Sequence, residues 1–299
     1  MNRIYLLFAL VVVALSFDGS SSTSTSKMLP SFLPENDWHI GVHDKKASRT
    51  MTEQIFNDVI TRINNIYTPV VERRGNILKI NSSWSDDTVN AYAQQTGNTW
   101  QINLFGGLAR HQAITPDGFA MVVCHEMGHH IGGAPKKTSW FGTIWASSEG
   151  QADYYSSAKC VKRYFAEDNN VDIVAAMNVD PIATQKCNQA FSNPEEIAMC
   201  QRAAMAGLAL GKLFEDLLNE TTPIKFSTPD QTVVSRTNTG GYPPTQCRFD
   251  TYFAGALCDK DVTVDPSDDS DDENEGFCAA KDNYTLGTRP LCWFKPARN

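Results

Sequence analysis

The sequence predicts an α+β fold that is mainly helical, with a small β-sheet beside one buried helix. Helical periodicity marks residues 51–67, 116–131 and 193–218, and residues 76–105 hold two or three short strands bounded by turn residues. We expect residues 30–299 to form one domain, because roughly 270 residues can bury an ample core. No internal repeat is visible.

The first 29 residues predict export. Residues 1–19 have the features of a signal peptide, since Arg3 precedes an apolar stretch too short for a comfortable membrane span. Ala14-Leu15-Ser16 is an acceptable cleavage site, and an uncleaved N-terminal anchor is the alternative. The Ser/Thr-rich residues 20–29 predict a flexible tether. We therefore expect a secreted or periplasmic protein with no stable membrane span after signal cleavage.

Two long helices are expected, one near residues 51–67 and the other near residues 193–218. In residues 51–67, apolar residues such as Val59 and Ile63 recur on one stripe, and Pro69 is expected to end this helix. Near the other end of the chain, Asn193 opens a long helix that reaches about Leu218, and its apolar content indicates a place in the core.

The central helix carries the motif His125-Glu126-Met127-Gly128-His129. Two histidines four residues apart share one helix face, so both imidazoles can reach a single zinc ion. Glu126 is then poised to take a proton from a water that the ion activates. A chance match to this pattern is expected roughly once in a hundred such chains, so its surroundings decide its meaning.

The surroundings predict a buried helix. Thr115 is a suitable N-cap and Pro116 a suitable first residue, and the apolar run 119–124 leads directly into the motif. Gly132 and Pro135 are expected to end the helix. Three titratable side chains on a buried helix are costly without a metal or other partners. The alternative is a pair of core histidines that donate to backbone carbonyls.

A third zinc ligand is expected on the next helix. A histidine ligand six residues after His129 is excluded, because that position is Pro135. The segment 147–153 offers Glu149 in the first turn of a helix and Asp153 one turn later on the same face. Glu149 would complete a site of two histidines and one glutamate, and Asp153 would orient a zinc histidine. The alternative is an ordinary solvated helix start.

Together these motifs resemble those of gluzincin zinc metallopeptidases, and most closely the HtpX-like and CAAX prenyl endopeptidases. That family pairs HExxH with a later ExxAD, which here read 125–129 and 149–153. Looser similarities are Asn90-Ala91-Tyr92-Ala93 and Tyr242-Pro243-Pro244 with Arg248, so the likeness spans roughly residues 51–248. This sequence departs from the family in the short interval between its zinc motifs and in having tyrosine where a histidine is expected.

The resemblance implies a zincin-like metallopeptidase domain that binds one Zn²⁺. His125, His129 and Glu149 would be the ligands. Glu126 would be the general base for the attack of water on a peptide carbonyl, and Asp153 would orient a zinc histidine. A second donor to the oxyanion is usual for such sites. By resemblance Tyr242 is favoured for this role, although a turn aromatic is its simpler interpretation. The other candidates are Arg248, which is better explained as a buried salt-bridge partner, Tyr154 and His111.

Residues 98–104 alternate well enough for a half-buried strand that could present substrate. At the edge of a sheet it could pair with an extended peptide, with Gln101 and Asn103 in contact with substrate. The alternative is an internal strand of the core.

All eight cysteines follow the signal segment, and an even number in an exported chain predicts up to four disulfides. Spacing favours local bridges, namely 187 with 200, 247 with 258 and 278 with 292. Cys124 could form a disulfide or, as the alternative, be an inert buried thiol. A second zinc site with thiolate ligands is not expected, because the sequence contains no Cys-x-x-Cys.

The net charge of −8 is concentrated in residues 259–275, which hold nine Asp or Glu and one Lys. This acidic loop predicts a solvated, mobile segment. A Ca²⁺ site is a weaker interpretation, since Asp271, Glu273 and Glu275 match an EF-hand loop poorly. No combination of basic and aromatic residues points to nucleic acid.

The most probable function predicted from the sequence is therefore that of an exported zinc endopeptidase, monomeric, with protein or peptide substrates. Two alternatives stay open. One is an exported binding or adhesion protein in which the metal is structural, and the other is a chaperone-like protein that keeps the zinc site and cleaves rarely.

Overall fold

The computed structural model describes residues 30–268 and 270–297, and the predicted signal peptide and tether lie outside this part. The described chain is a mixture of helices and two small sheets, which confirms the α+β class. The helices are α1 (Glu53–Arg73), α2 (Gly106–Ala109), α3 (Pro116–Ile131), α4 (Glu149–Tyr155), α5 (Val161–Phe165), α6 (Asn170–Ala175), α7 (Pro181–Ala190), α8 (Pro194–Leu218) and α9 (Thr245–Leu257). The strands are β1 (Ile77–Ser83), β2 (Ala91–Thr96), β3 (Thr99–Phe105), β4 (Lys136–Ser139) and β5 (Gly142–Ser147).

The larger sheet has the strand order β1-β3-β2. Strand β3 pairs in parallel with β1, starting with Ile77 beside Thr99, and antiparallel with β2, with Ala91 beside Leu104. Because both edges of β3 are taken, the expectation of an edge strand at residues 98–104 is wrong, and the internal alternative holds. Strands β4 and β5 form a separate hairpin.

Helix α1 is longer than predicted. Thr52 caps it by accepting a hydrogen bond from the Ile55 amide at 3.2 Å, and the helix continues through Pro69 to Arg73. The expected break at Pro69 is wrong, because the buried side chains of Tyr67 and Val71 anchor the last turns on both sides of this exposed proline. Core packing outweighs the one backbone hydrogen bond that proline removes.

Helix α3 lies at the centre of the molecule, between the sheet and helices α1, α4 and α8. As predicted, Thr115 caps it by accepting from the Gly118 amide at 3.0 Å, and Gly132 follows its last turn. Helices α3 and α4 approach closely at Gly128, where an added Cβ would lie 3.0 Å from the Cα and carbonyl oxygen of Ala152. This contact brings the two zinc-motif segments together.

Four disulfides connect the eight cysteines, at 124–160, 187–200, 247–292 and 258–278. Only the predicted pairing of Cys187 with Cys200 is correct. Cys247 and Cys258 belong to helix α9 and its C-terminal end, which places them about 16 Å apart along the helix axis. They bond instead to the C-terminal segment, which returns along α9, and Cys124 is not a free thiol.

The acidic loop is partly anchored to the fold. Asp265 is bound by Arg163 at 2.7 Å and by the Tyr155 hydroxyl at 2.8 Å, whereas Asp271 and Asp272 are exposed. The prediction of a wholly solvated segment is therefore wrong at its beginning, because Arg163 needs a carboxylate partner at the protein interior. Among the described residues, no helix is both long and apolar enough to cross a bilayer.

Candidate metal centre

Three side chains from α3 and α4 converge on one point in the protein interior. The Oε2 atom of Glu149 lies 3.3 Å from His125 Nε2 and 3.6 Å from His129 Nε2. All three side chains are buried. The structure thus brings together the three residues that the two sequence motifs predicted as ligands, and this group could hold a metal ion.

Within residues 30–268 and 270–297, the atoms of this group that face one another have no hydrogen-bond partner. His125 Nε2, His129 Nε2 and Glu149 Oε2 are all buried and unpaired. Buried polar atoms without partners cost about 1–3 kcal/mol each, and more when the group is charged. A cation at their common point would satisfy all three, so the donor set fits a metal ion.

The opposite nitrogens of the two imidazoles are fixed by the protein. His125 Nδ1 donates to Asp153 Oδ1 at 2.7 Å, and His129 Nδ1 donates to the carbonyl oxygen of Ser147 at 2.8 Å. When Nδ1 is the donor in a neutral imidazole, the lone pair lies on Nε2. Both rings therefore present a metal-binding nitrogen to the central point.

Asp153 is itself held by two groups from α9. Arg248 binds both of its oxygens, with Nε at 2.8 Å from Oδ2 and Nη2 at 2.9 Å from Oδ1, and the Tyr252 hydroxyl donates to Oδ1 as well. Although burial opposes ionisation, Arg248 and His125 keep the pKa of Asp153 below its usual range. The resulting chain Arg248–Asp153–His125 fixes the orientation of the first imidazole.

Glu149 is fixed through its other oxygen. Oε1 accepts from the Lys137 ammonium on strand β4, which leaves Oε2 directed at the histidines. Burial would raise the pKa of Glu149, but His129 and Lys137 hold it well below the usual range. The contact of Lys137 with Glu149 was not predicted, because a lysine in a short polar segment is usually an ordinary surface residue.

The charge states at the centre suit metal binding. Burial lowers the pKa of His129 to about 3, so this ring is neutral at physiological pH. At His125, burial is outweighed by the contact with Asp153, which raises the pKa to about 9 in the absence of an ion. Burial, reinforced by Glu149 and opposed by His125, raises the pKa of Glu126 to about 8. A cation would remove the proton from His125 and favour the ionised Glu126.

Glu126 lies in this buried region with both carboxylate oxygens unpaired. A side chain with no partner in the protein is free to bind a small polar molecule such as water. Glu126 is thus used in no structural hydrogen bond of the described chain, and it is near enough to His125 and Glu149 for their charges to affect its pKa.

Tyr242 lies at the margin of the centre. Its ring centroid is 5.4 Å from the Arg248 guanidinium and 5.7 Å from the Lys137 ammonium, and burial together with the charge of Glu149 raises its pKa. Its hydroxyl donates to the Ser31 carbonyl at 2.7 Å. An oxyanion role would require this hydrogen bond to be exchanged.

The other candidate donors have separate structural partners. The Tyr154 hydroxyl donates to the Gly287 carbonyl, and His111 Nε2 lies 3.5 Å from Asp216. Arg248 forms a salt bridge with Asp153, which agrees with the prediction that it is a buried salt-bridge partner. Neither Tyr154 nor His111 therefore offers a free donor to the metal group.

Gln101 and Asn103 belong to the central strand, so the basis for their predicted contact with substrate is wrong. The Gln101 carbonyl accepts from His130 Nε2 at 3.0 Å, and Asn103 accepts from Asn81 at 2.9 Å. The Asn81–Asn103 hydrogen bond joins β1 to β3, whereas the buried Asn103 Nδ2 has no partner in the described chain. His130 itself stacks between the Trp100 and Trp145 rings, with centroids 5.2 and 4.8 Å away.

Two other acidic or sulfur-containing groups carry no metal function. Asp230 lies near the sulfurs of Cys247 and Cys292, but these form a disulfide and are not available as ligands. In the described part of the acidic loop, the carboxylates do not converge into a donor group that could hold Ca²⁺.

A cavity of about 1350 Å³ opens next to the metal group. Lys137, which binds Glu149, and Tyr242, which packs against Arg248, line it, whereas His125, His129 and Glu149 do not. The remaining lining comes from segment 31–35, strand β2, the β4–β5 hairpin and segment 236–240.

Compared with models of protein families, with curated proteins and with solved structures, this chain gives no match. The residues of the site are therefore the basis on which a function is inferred for this chain.

Proposed function

We propose that the protein is a zinc-dependent endopeptidase that acts outside the cytoplasm. The observation that carries this proposal is the convergence of His125, His129 and Glu149, with their unpaired atoms directed at one point and Glu126 beside them. Two histidines, one glutamate and an adjacent acid are the parts required for hydrolysis of a peptide bond by an activated water.

Zinc is favoured by the donor types and by their spacing. Nitrogen and oxygen bonds of about 2.0–2.2 Å place two donors of a tetrahedral zinc ion roughly 3.3–3.6 Å apart. The separations of Glu149 Oε2 from the two Nε2 atoms are 3.3 and 3.6 Å. Three protein ligands leave one position of a tetrahedral ion open, which is typical of catalytic zinc.

Zinc bound here would supply a Lewis acid that activates water and stabilises the charge that develops on the substrate carbonyl oxygen. Glu126 takes a proton from the attacking water onto a carboxylate oxygen and passes it to the nitrogen of the leaving amine. Tyr242 is the candidate for a second hydrogen bond to the oxyanion, once its hydroxyl turns away from Ser31. Asp153 keeps the His125 imidazole oriented through Nδ1.

The resemblance to gluzincin peptidases supports the same reaction. The motifs at 125–129 and 149–153 occupy the positions that this family would give to its ligands and supporting aspartate. Four disulfides support an exported protein, since such bonds persist in oxidising compartments.

A second candidate function is an exported binding or chaperone-like protein with a structural metal. The observation in its favour is burial, because His125 and His129 are 0% exposed and Glu149 is 1% exposed. A structural zinc site, however, usually has four protein ligands, whereas three converge here.

Glu126→Gln separates the two functions, because it keeps a side chain of the same size but removes the base. Zinc content would be measured by elemental analysis, and activity by digestion of a reduced, carboxymethylated protein. We expect equal zinc content and a fall in proteolysis of at least a hundredfold. His129→Ala should lose both zinc and activity.

Two results would contradict the proposal. Undiminished proteolysis by the Glu126→Gln protein would remove Glu126 from the reaction, and zinc-loaded wild-type protein that cleaves nothing would favour the binding function. Thermal unfolding with added zinc gives an independent test of the metal site, since a ligand that binds only the folded state raises stability.

A further inference from the structure

We propose that Trp140 and Phe141, at the tip of the β4–β5 hairpin, form the docking site for an extended, unfolded polypeptide with large apolar side chains. This proposal rests on the proposed function and adds a substrate class to it. Its first support is the exposure of the tip, since Trp140 is 101% exposed and Phe141 is 91% exposed.

The turn itself does not require aromatic residues. Ser139 pairs with Gly142, so Trp140 and Phe141 are the two loop residues of a tight hairpin. Trp140 and Phe141 both have negative φ angles, and the positive φ of the turn falls on Gly142 at 108°, so the backbone accepts most residue types at positions 140 and 141. Two neighbouring aromatics in full contact with water are therefore explained better by binding than by folding.

The tip also belongs to the wall of the large cavity. Trp140, Phe141 and Ile144 line the cavity together with Tyr92 of strand β2. Its volume of about 1350 Å³ exceeds the roughly 300–1,000 Å³ that is usual for small-molecule sites. A cavity of this volume with aromatic residues in its mixed lining suits several residues of an extended chain better than one small molecule.

The same cavity shares Lys137 with the proposed reaction centre. Lys137, four residues or fewer from both aromatics in the same hairpin, lines the cavity and binds Glu149 with its ammonium. A chain held at the tip would thus have its next residues close to the metal group. His125, His129 and Glu149 are at most 1% exposed, so a backbone that reaches them must be free of tertiary structure of its own, and we infer an unfolded substrate.

The charged side chains at the cavity nearly balance one another. Lys137 is paired with Glu149, which leaves the Arg236 guanidinium and the Glu35 carboxylate in the lining. A membrane surface is the other partner that two exposed aromatics beside lysines could bind. Insertion of a hairpin tip into lipid needs no adjoining cavity, and this feature favours the polypeptide.

The test uses the full zinc-loaded chain with Glu126→Gln, so that bound substrate is not cleaved. The probe is fluorescein-labelled α-lactalbumin, reduced and carboxymethylated, and its binding is followed by fluorescence anisotropy. We expect Trp140→Ser with Phe141→Ser to weaken binding at least tenfold. The matched control replaces two exposed apolar residues outside the cavity, Val42 and Ile77, with serine and should bind as before.

Three outcomes would overturn the inference. These are unchanged affinity of the tip variant, equal loss in the control variant, or equally tight binding of native, folded α-lactalbumin. Tip-dependent binding to phosphatidylcholine or phosphatidylglycerol vesicles, with unchanged affinity for the unfolded probe, would assign the tip to a membrane instead. Circular dichroism of each variant establishes that it is folded.

Failure of this inference is distinguishable from failure of the proposed function. If wild-type protein cleaves the unfolded probe but the tip variant has an unchanged KM, only the docking site is wrong. If the wild-type chain cleaves nothing and the Glu126→Gln protein still binds through the tip, the docking site stands and the peptidase proposal fails. In an active enzyme, we expect KM to rise at least tenfold and kcat to change less than twofold.

Discussion

His125 Nδ1 and Asp153 Oδ1 lie 2.7 Å apart, and this hydrogen bond connects the metal group to the buried Arg248. The imidazole can offer Nε2 to an ion only while Nδ1 keeps its proton, and the carboxylate holds that proton in place. Asp153 therefore influences the metal group without being one of its ligands.

We expect Asp153→Asn to weaken zinc binding by about 10- to 100-fold, because the neutral amide orients His125 less strongly. The substitution also leaves Arg248 without its buried counter-charge, which should cost about 3–5 kcal/mol of folding free energy. Competition with a chromophoric chelator measures the first effect and urea unfolding the second. Asp172→Asn, at an exposed position on α6, is the control. Equal zinc affinity in the two variants would contradict the role of Asp153.

Gly128→Ala tests the close contact between α3 and α4. The new methyl group would lie 3.0 Å from backbone atoms of Ala152, so the helices must separate by a few tenths of an ångström. Since His125 and His129 are on one helix and Glu149 is on the other, we expect weaker zinc binding and a lower Tm. Gly41→Ala meets nothing within 4 Å and should change neither quantity. A zinc affinity equal to that of the wild type would show that the helix spacing is not critical.

The disulfide between Cys124 and Cys160 should contribute more stability than the one between Cys187 and Cys200. Their sequence separations are 36 and 13 residues. The loop-entropy relation then predicts losses of about 4 and about 3 kcal/mol when each pair is replaced by alanine. Urea unfolding of the two double variants measures the difference. A larger loss for the shorter loop would mean that local strain or packing, and not loop entropy, dominates.

Lys162 should make the folding stability depend on pH. It is 5% exposed and donates to the Cys258 carbonyl at 2.6 Å. Burial, reinforced by Lys159, lowers its pKa from 10.5 to about 7. Between these values the unfolded chain binds more protons than the folded one, so the free energy of unfolding rises with pH.

Lys162→Met removes this contribution while preserving an apolar side chain of similar length. We expect the stability of the wild type to gain on the order of 2 kcal/mol from pH 7.5 to 9.5, relative to the Lys162→Met protein. Urea unfolding at the two pH values measures the gain. Parallel changes in the two proteins would show that Lys162 is charged in the folded state at pH 7.5.

The parts of the fold that depend on local interactions could be predicted from the sequence. Thr115 and Asn193 cap the two helices that they were expected to cap, because a side-chain oxygen at that position binds a nearby amide. The placement of Glu149 and Asp153 on one face of the next helix also followed from helical spacing. These inferences needed only neighbouring residues and the period of a helix.

The parts that depend on distant packing could not be predicted. The role of Lys137 requires strand β4 to lie over the first turn of α4, and the bond between Cys247 and Cys292 requires the C-terminal segment to return along α9. The continuation of α1 past Pro69 depends on the buried Val71. In each case the deciding partner is far away in the sequence, so no local pattern reports it.

The stack of Trp100, His130 and Trp145 joins three elements at one place. Trp145 belongs to β5, Trp100 to the central strand β3, and His130 directly follows the second metal-binding histidine. The base of the hairpin is thus clamped to the sheet, whereas its aromatic end projects freely. Because His130 belongs to the same helical turn as His129, the stack also ties the position of the hairpin base to the turn that carries a candidate metal ligand.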